Sequence, residues 1–416
     1  MIVRRGFLVW KNQNLLILLG GLFIAELGIW FGVIGTLEFL QQHVHSFFLQ
    51  SVILVSGILF SIVIGPFAGK VVDQTSKKTV IFWVSIMRII AVCAMFIAIW
   101  QENFMWVFMY SIFIGGAAAF YFPAVQSSIP KVTQPEHLVK ANALNFNLVT
   151  LARIFGAVLA GVLLVYVSVT TLFIIAIIAY FLLLMSTLFL RIEEPSITSR
   201  HSSEQTGRNI KGHRSFHEIL SVINRLPVIK MILILTVFPF IFIGGFNLMV
   251  INISQLQDSS LIKGLLYGAE GLSIFIAGLT ASRLKKGKNS VPLLLISCLL
   301  IGVAQMSLFL AEWRWLPVVS FALFGYVVGI FMPLSNTVCQ ELIPDEYLGR
   351  FFSLRRMLES FVQQVSVLCT GVLLDWIGFH WTVILLGLLT FIIVGLLCIR
   401  QLYEPIHYMQ ETKMDQ

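Results

Sequence analysis

Three ionisable residues, Glu26, Arg153 and Glu270, lie inside long apolar runs of the sequence. Glu26 is roughly 12 residues into its run, which at about 1.5 Å per helical residue is close to the middle of a bilayer core about 30 Å thick. A charge at that depth is costly and marks a functional site by default. We therefore expect these three residues to be candidates for proton coupling, with at least one glutamate that binds and releases a proton as its distance from an arginine changes. The alternative is a static glutamate–arginine pair that only stabilises the helices.

The composition explains why these charges lie at membrane depth. Of the 416 residues, 58% are hydrophobic and 12% are charged, and the mean hydropathy is +0.92. A soluble globule could not hide so many apolar side chains, so the numbers disfavour a soluble enzyme, a disordered chain and a fibrous protein. The sequence also lacks a G-x-x-x-x-G-K-[ST] loop, an H-E-x-x-H or G-x-S-x-G motif and a clustered His/Cys site. We therefore expect an all-α membrane protein that is not an enzyme and needs no metal or cofactor.

Apolar runs separated by polar segments predict twelve spanning helices. The predicted spans are Leu15–Leu40, Phe48–Ala68, Val80–Trp100, Met105–Ser128, Ala141–Val167, Thr171–Leu190, Ile229–Leu256, Leu261–Ser282, Val291–Leu310, Leu316–Cys339, Phe351–Leu374 and His380–Ile399. Six precede and six follow a polar, basic, Ser-rich stretch without apolar periodicity. This predicts a six-helix bundle over residues 1–190, a cytoplasmic linker over 191–227 and a second six-helix bundle over 228–416.

The distribution of Lys and Arg predicts the orientation of the chain. With both termini in the cytoplasm, nearly all basic residues fall in inner segments. Lys263 and Arg314 alone lie in outer loops, and Arg88 and Arg153 lie within spans. We therefore expect a multi-pass protein of the cell membrane with both termini cytoplasmic. The basic linker is too short and too near the membrane to indicate nucleic acid, and a monomer is favoured.

One segment recurs in the second half of the chain. Its matched residues share one offset of 210 residues (115 to 325): Gly115, Pro123, Ser127, Glu136, Leu138 and Lys140 correspond to Gly325, Pro333, Thr337, Glu346, Leu348 and Arg350. Parallel repeats of six helices describe one transporter architecture. Prolines and glycines are common near the ends of membrane helices, which is the alternative explanation.

A loop after the second span carries a family resemblance. The segment Gly69-Lys-Val-Val-Asp73-Gln-Thr-Ser-Lys77-Lys78 resembles the G-x-x-x-D-R-x-G-R-K signature of the major facilitator superfamily, with Gln74 and Ser76 as departures. The stretches FPAVQSSIP…LVKANAL and IPDEYLGRFFSL resemble the drug and macrolide-efflux subgroup of proton antiporters. The resemblance implies two pseudo-symmetric six-helix bundles.

The resemblance also implies roles for single residues. Gly69 would permit a tight turn, and Asp73 would lie near a helix N-terminus and bind across the two halves. Lys77 and Lys78 are either part of this conformational motif or simple positive-inside anchors.

In the fifth span, Gly156 and Gly161 resemble part of the antiporter signature G-P-x-x-G-G, and small residues there suit a seal between the halves. Ordinary packing of small residues is the alternative. The fourth span lacks the arginine found in many proton antiporters.

Deep aromatic residues are candidates for a substrate cavity, because their rings form an apolar, polarisable pocket for an amphipathic or cationic compound. These candidates are Trp30, Phe122, Phe246, Tyr267 and Phe331. Packing against the core or lipid is the alternative for each ring. We expect a secondary transporter that exports a small amphipathic compound in exchange for protons. The alternatives are a lysophospholipid or lipid mover, a siderophore or metabolite exporter, an importer of the same fold, and a membrane sensor that does not transport.

Overall fold

The computed structural model describes residues 12–134, 137–191, 223–281 and 290–403. Within these ranges the regular structure is helical, as the apolar runs predict. The helices are α1 (Gln13–His43), α2 (Phe47–Gln74), α3 (Lys77–Gln101), α4 (Met105–Val132), α5 (Leu138–Leu163), α6 (Val169–Phe189), α7 (Pro227–Leu256), α8 (Leu261–Ala281), α9 (Ser290–Ser307), α10 (Leu316–Leu342) and α11 (Asp345–Tyr403). The fold class is therefore the expected one, an all-α membrane protein.

The described residues contain 11 helices that are long and apolar enough to cross a membrane. The last helix contains a break at Gly378, whose φ of 76° and ψ of 174° leave the helical region. A glycine adopts this positive φ without the steric cost that a Cβ would bring. The break divides α11 into two arms, 345–377 and 379–403, which contain the last two predicted spans. The twelve predicted spans thus correspond to twelve helical segments.

Large apolar side chains are exposed along the helices, which is expected where lipid replaces water. Val63 is 79% exposed, and Trp100 and Trp376 at helix ends are 82% and 81% exposed. In water such surfaces would drive aggregation, whereas in a bilayer they are solvated by acyl chains, and tryptophan prefers the interface.

The chain divides into two compact units. The first comprises Met1–His45 with Val52–Gly212, and the second comprises Ser46–Ser51 with His213–Gln416. Most of the linker predicted over 191–227 lies outside the described residues. Each unit contains its own hydrophobic core, and each is described separately below.

In the first unit, α1 packs closely on α6 through three glycines that are spaced seven residues apart, Gly21, Gly28 and Gly35. A Cβ added at Gly28 would lie 2.9 Å from the Ala179 Cβ, and one at Gly35 would lie 2.9 Å from the Phe173 ring. Gly21 lies seven residues before Gly28 and faces Ser186 and Leu183, which also belong to α6. Small residues at such a spacing allow two membrane helices to approach until their backbones nearly touch.

In the second unit, Asp375 in α11 caps the first turn of α2. Its carboxylate accepts hydrogen bonds from the Ser46 hydroxyl at 2.7 Å and from the backbone N–H groups of Phe47 and Phe48 at 2.8 and 2.9 Å. These amides begin a helix and have no acceptor within it. An anion at a helix N-terminus also interacts favourably with the helix dipole.

Candidate functional site

Glu26 is buried near the middle of α1, and a buried arginine of α3 lies within its electrostatic reach. The Glu26 side chain is only 5% exposed and that of Arg88 only 1% exposed. Arg88 is the positively charged group whose electrostatic influence reaches the Glu26 carboxylate. Arg88 lies near the middle of α3, which runs from Lys77 to Gln101, and it was not among the candidates for proton coupling chosen from the sequence.

Tyrosine rings surround the Arg88 guanidinium. Its central carbon lies 4.1 Å from the centroid of the Tyr121 ring and 5.5 Å from that of Tyr180. Both rings are almost completely buried, in α4 and α6 respectively. Cation–π contacts of this kind gain strength when the cation is shielded from water.

The cluster leaves several polar atoms without hydrogen bonds to the protein. Among the described residues, the Glu26 Oε1, the Arg88 Nη1 and the Tyr180 hydroxyl are buried and have no hydrogen-bond partner. Each such group costs about 1–3 kcal/mol when left unsatisfied. Buried polar groups that remain unsatisfied at one place are more typical of a functional site than of a core optimised for stability.

Glycines of α1 make room for this cluster. A Cβ added at Gly28 would lie 3.1 Å from the Tyr180 ring, and one at Gly32 would lie 2.5 Å from the Tyr110 hydroxyl. Tyr110 is also buried, and it forms a side-chain hydrogen bond with Thr36. The polar cluster is therefore bounded by residues of α1, α3, α4 and α6.

Arg153, the arginine among the sequence-based candidates for proton coupling, occupies a different setting in α5. Its guanidinium carbon lies 5.9 Å from the Trp30 ring, and its side chain is half-buried. Trp30 is one helical turn beyond Glu26, so both arginines belong to the surroundings of the same part of α1. Arg88, however, is the more buried of the two side chains.

Gly156 faces α1 within the first unit. A Cβ added there would lie 2.8 Å from the Trp30 Cβ and 3.5 Å from the Leu27 carbonyl oxygen. Its small size therefore allows α5 to approach α1, and its role in a seal between the halves stays a prediction. Gly161 is also buried in α5.

Glu270 belongs to the second unit, where it is buried in α8 beside a close helix crossing. A Cβ added at Gly325 of α10 would lie 3.0 Å from the Glu270 Cα. Near this crossing, Tyr267 donates a hydrogen bond to the Asn247 side chain, and its ring lies 4.8 Å from that of Phe246. Glu270 thus follows Tyr267, a member of an aromatic cluster of this unit, by three residues in α8.

The aromatic candidates for a substrate cavity separate into two groups. Phe331 is 0% exposed and lies in the hydrophobic core of the second unit, so it fills the core and does not line an open surface, which corrects the expectation for this residue. Phe246 and Tyr267 are nearly buried as well. Trp30 is partly exposed and Phe122 is 53% exposed.

The internal repeat has a counterpart in local geometry. A Cβ added at Gly115 of α4 would lie 2.8 Å from the Gly57 Cα of α2, just as Gly325 faces Glu270. Pro123 and Pro333 both lie inside helices. Four residues after each proline, a hydroxyl donates to the proline carbonyl: Ser127 at 2.7 Å and Thr337 at 3.0 Å.

The acidic and basic ends of the repeat are less completely described. Glu136 lies outside the described residues, and Glu346 lies in α11 without a described side chain. Lys140 is exposed in the first turn of α5, and the Arg350 guanidinium carbon lies 5.9 Å from the Tyr347 ring.

The loop motif after α2 shows distinct roles for its two lysines. Lys77 is buried, and its ammonium donates to the Val72 carbonyl and to the Thr75 carbonyl, the latter at 3.3 Å. It thereby satisfies carbonyl groups at the C-terminal end of α2, which have no donor within the helix. Lys78 donates to the Leu188 carbonyl at 2.7 Å and so connects the start of α3 to the end of α6.

Gly69 and Asp73 differ from the geometry expected for them. Gly69 lies within α2, and a Cβ there would meet no atom of the described residues within 4 Å, so it is neither a turn residue nor a close contact. Asp73 is exposed in the last turn of α2 and does not cap the next helix, whose N-cap is Ser76. The reason is that α2 continues to Gln74, further than its apolar run.

Two further buried basic residues, Arg355 and Lys263, were not among the site residues predicted from the sequence. Arg355 donates to Glu359 at 2.8 Å and to the Ser335 hydroxyl at 2.9 Å. Lys263, expected in an outer loop, is fully buried in the first turn of α8 and donates to the Ser254 hydroxyl at 2.8 Å. The Arg355 pair has a sequence signal, an arginine and a glutamate four residues apart in one helix. The Lys263 contact has none.

In the part of the chain that the structure describes, no group of three or more His, Cys, Asp or Glu residues could hold a metal ion. The long apolar helices, with charges buried inside them, define a multi-pass membrane protein. The chain belongs to the major facilitator superfamily, because the model of that family matches residues 18–366. Members of this family are transporters and not enzymes.

Relatives and solved structures agree with this assignment. The chain is 23% identical over 409 residues to the MFS-type transporter YfiS of Bacillus subtilis (strain 168), covering 94% of this chain and 93% of the relative. It is 24% identical over 354 residues to macrolide efflux protein A of Streptococcus pyogenes, covering 82% and 85%. The structure of a D-xylose–proton symporter superimposes with a TM-score of 0.66 at 14% identity, covering 92% of this chain and 96% of that one.

Proposed function

We propose that this transporter exports a small amphipathic, macrolide-type compound in exchange for protons, by alternating access in the cell membrane with both termini in the cytoplasm. The observation that carries the proposal is the burial of a carboxyl group, Glu26, at the middle of a membrane helix beside a buried arginine. A buried acid is the group whose charge a membrane transporter can change by taking up a proton.

Glu270 supports a second proton-binding position in the other unit. It is buried in α8 at a point where Gly325 leaves no room for a side chain between the helices. The close contact is with the Glu270 backbone, so a displacement of α10 against α8 would move the residue that carries this carboxyl group. Asp73 is proposed to bind across the two halves and stabilise one state of the cycle, as its family motif implies.

The similarity to macrolide efflux protein A supports the class of substrate. Trp30 and Phe122, the aromatic candidates that retain exposed surface, are proposed to contact it. An amphipathic compound gains affinity from aromatic faces because its apolar part leaves water there.

Reconstitution into liposomes with an imposed pH gradient tests the proposal. Vesicles that contain the protein and have an acidic interior should accumulate erythromycin beyond the amount that protein-free vesicles trap by protonating its amine. Nigericin, which dissipates the gradient, should abolish this excess. Glu26→Gln and Glu270→Gln test the two carboxyl groups separately. Transport by the original protein that does not respond to the pH gradient would contradict proton coupling, and a pH dependence that both variants retain would contradict the role of these two carboxyl groups. Uptake of lysophospholipid in place of the macrolide would contradict the substrate class.

A further inference from the structure

The helices that pack on this part of α1 carry five titratable or charged groups: Arg88 of α3, Tyr110 and Tyr121 of α4, Arg153 of α5 and Tyr180 of α6. Of these, Arg88, Tyr121 and Tyr180 interact electrostatically with Glu26. Two of the five groups are cations, so either arginine is a possible counter-charge for the Glu26 carboxylate.

Burial distinguishes the two arginines. Arg88 is almost completely enclosed, whereas Arg153 is half-buried beside Trp30. A charge interacts more strongly through an interior of low polarity than through one that water reaches. The electrostatic influence on Glu26 accordingly comes from Arg88.

Arg88 also has an alternative partner in the aromatic rings. Its guanidinium lies 4.1 Å from the Tyr121 ring centroid, whereas no hydrogen bond joins its Nη1 atom to any of the described residues. Arginine stays protonated in proteins, so its charge must be stabilised whether or not Glu26 is ionised. Ring faces stabilise a cation without accepting its protons.

We propose that Arg88 is the positioning residue for Glu26 and that the two form an exchangeable charge pair inside the first unit. When Glu26 is ionised, its carboxylate and the Arg88 guanidinium compensate each other. When Glu26 takes up a proton from water, an O–H bond forms on the carboxylate, and the guanidinium keeps its own protons and is held by the Tyr121 and Tyr180 rings. The role of this exchange in transport rests on the proposed function, whereas the pairing itself does not.

The pairing predicts a pH-dependent stability. In Arg88→Gln, ionised Glu26 has no buried counter-charge, so the variant should lose stability as the pH rises and Glu26 ionises. We expect the thermal midpoint of purified Arg88→Gln to fall by several degrees between about pH 5 and about pH 8, relative to the original protein. Adding Glu26→Gln should remove this pH dependence, and Arg88→Lys should restore most of the midpoint.

Arg153 supplies the matched control. Arg153→Gln should show no pH dependence that Glu26→Gln removes. The proposal is overturned if Arg88→Gln shows the same pH dependence with and without Glu26→Gln, or if Arg153→Gln shows the Glu26-dependent loss in its place.

The aromatic partner is tested in the Glu26→Gln background, which mimics the protonated carboxyl. There Tyr121→Leu should lower the midpoint by more than Tyr121→Phe, because only phenylalanine keeps a ring face. Equal midpoints would contradict the exchange. If the pairing is observed but no pH gradient drives transport, the proposed function fails and the charge pair stands. If transport is proton-driven but unchanged in rate and pH profile by Arg88→Lys and Arg88→Gln, the pair has no role in coupling.

Discussion

Gly115 of α4 lies against Gly57 of α2 so closely that a Cβ on Gly115 would be 2.8 Å from the Gly57 Cα. Gly325 occupies the corresponding position of the second unit. A Cβ added to it would lie 3.0 Å from the Glu270 Cα. Two glycines related by the sequence repeat therefore set two helix crossings of the same kind. A transporter built from repeated units can place equivalent crossings in each of them.

Replacing either crossing glycine by alanine should destabilise the protein. A Cβ at Gly115 or Gly325 would press on backbone, which cannot rotate away, so we expect a loss of about 1–3 kcal/mol for each substitution. Thermal unfolding in detergent measures the change. Gly65→Ala and Gly395→Ala are the controls, because a Cβ at either position meets no atom of the described residues within 4 Å. They should be neutral or slightly stabilising, and equal losses at all four positions would contradict the close crossings.

Arg355→Gln should cost far more stability than Arg356→Gln. Arg355 is buried and hydrogen-bonded to Glu359 and Ser335, so its removal leaves a carboxylate without its cation, at a cost of about 3–5 kcal/mol. Arg356, the next residue, is exposed and should contribute less than about 1 kcal/mol. The two variants carry the same chemical change one residue apart. Similar thermal midpoints would show that the buried contacts do not stabilise α11.

Lys77→Met should lower stability by about 1–2 kcal/mol, because the Val72 and Thr75 carbonyls would lose their donor at the end of α2. Lys78→Met should have a smaller effect, since its contact with the Leu188 carbonyl is exposed. If Lys77→Met unfolds as the original protein does, the capping role is wrong.

Asp73→Asn should leave the thermal midpoint unchanged and reduce transport in liposomes. If Asp73→Asn transports normally, the conformational role that the motif implies for Asp73 is wrong.

Ser254→Ala should destabilise the turn between α7 and α8. The Ser254 hydroxyl accepts from the buried Lys263 ammonium at 2.8 Å and donates to the Ser259 carbonyl at 3.0 Å. Its removal deprives a buried cation of an acceptor, at a cost of about 1.5–3 kcal/mol. Hydrogen exchange of residues 254–263 should accelerate in this variant. Ser297→Ala, which loses only a bond to its own helix, is the control and should leave that exchange unchanged.

The amino-acid sequence by itself determined the class of protein and the number of helices. Runs of about 20 apolar residues can satisfy their backbone in lipid only as helices, so the run count predicts the helix count. The repeat could also be recognised in the sequence, because Gly115 and Gly325 lie at equivalent positions of the repeated segment and each is needed at a close helix crossing. Helix ends were less predictable: α2 continues past its apolar run, which moved Gly69 and Asp73 out of the expected turn.

Only the tertiary structure decided which charges meet. The sequence shows that Glu26, Arg88 and Arg153 lie inside apolar runs, at a depth within the membrane. It contains no information on how one helix is rotated relative to another. That rotation is set by small residues such as Gly28 and Gly156, which determine how closely neighbours approach. The resulting geometry encloses Arg88 beside Tyr121 and leaves Arg153 half-buried, and this difference in packing, which spacing along the chain does not contain, is why we propose Arg88 as the partner of Glu26.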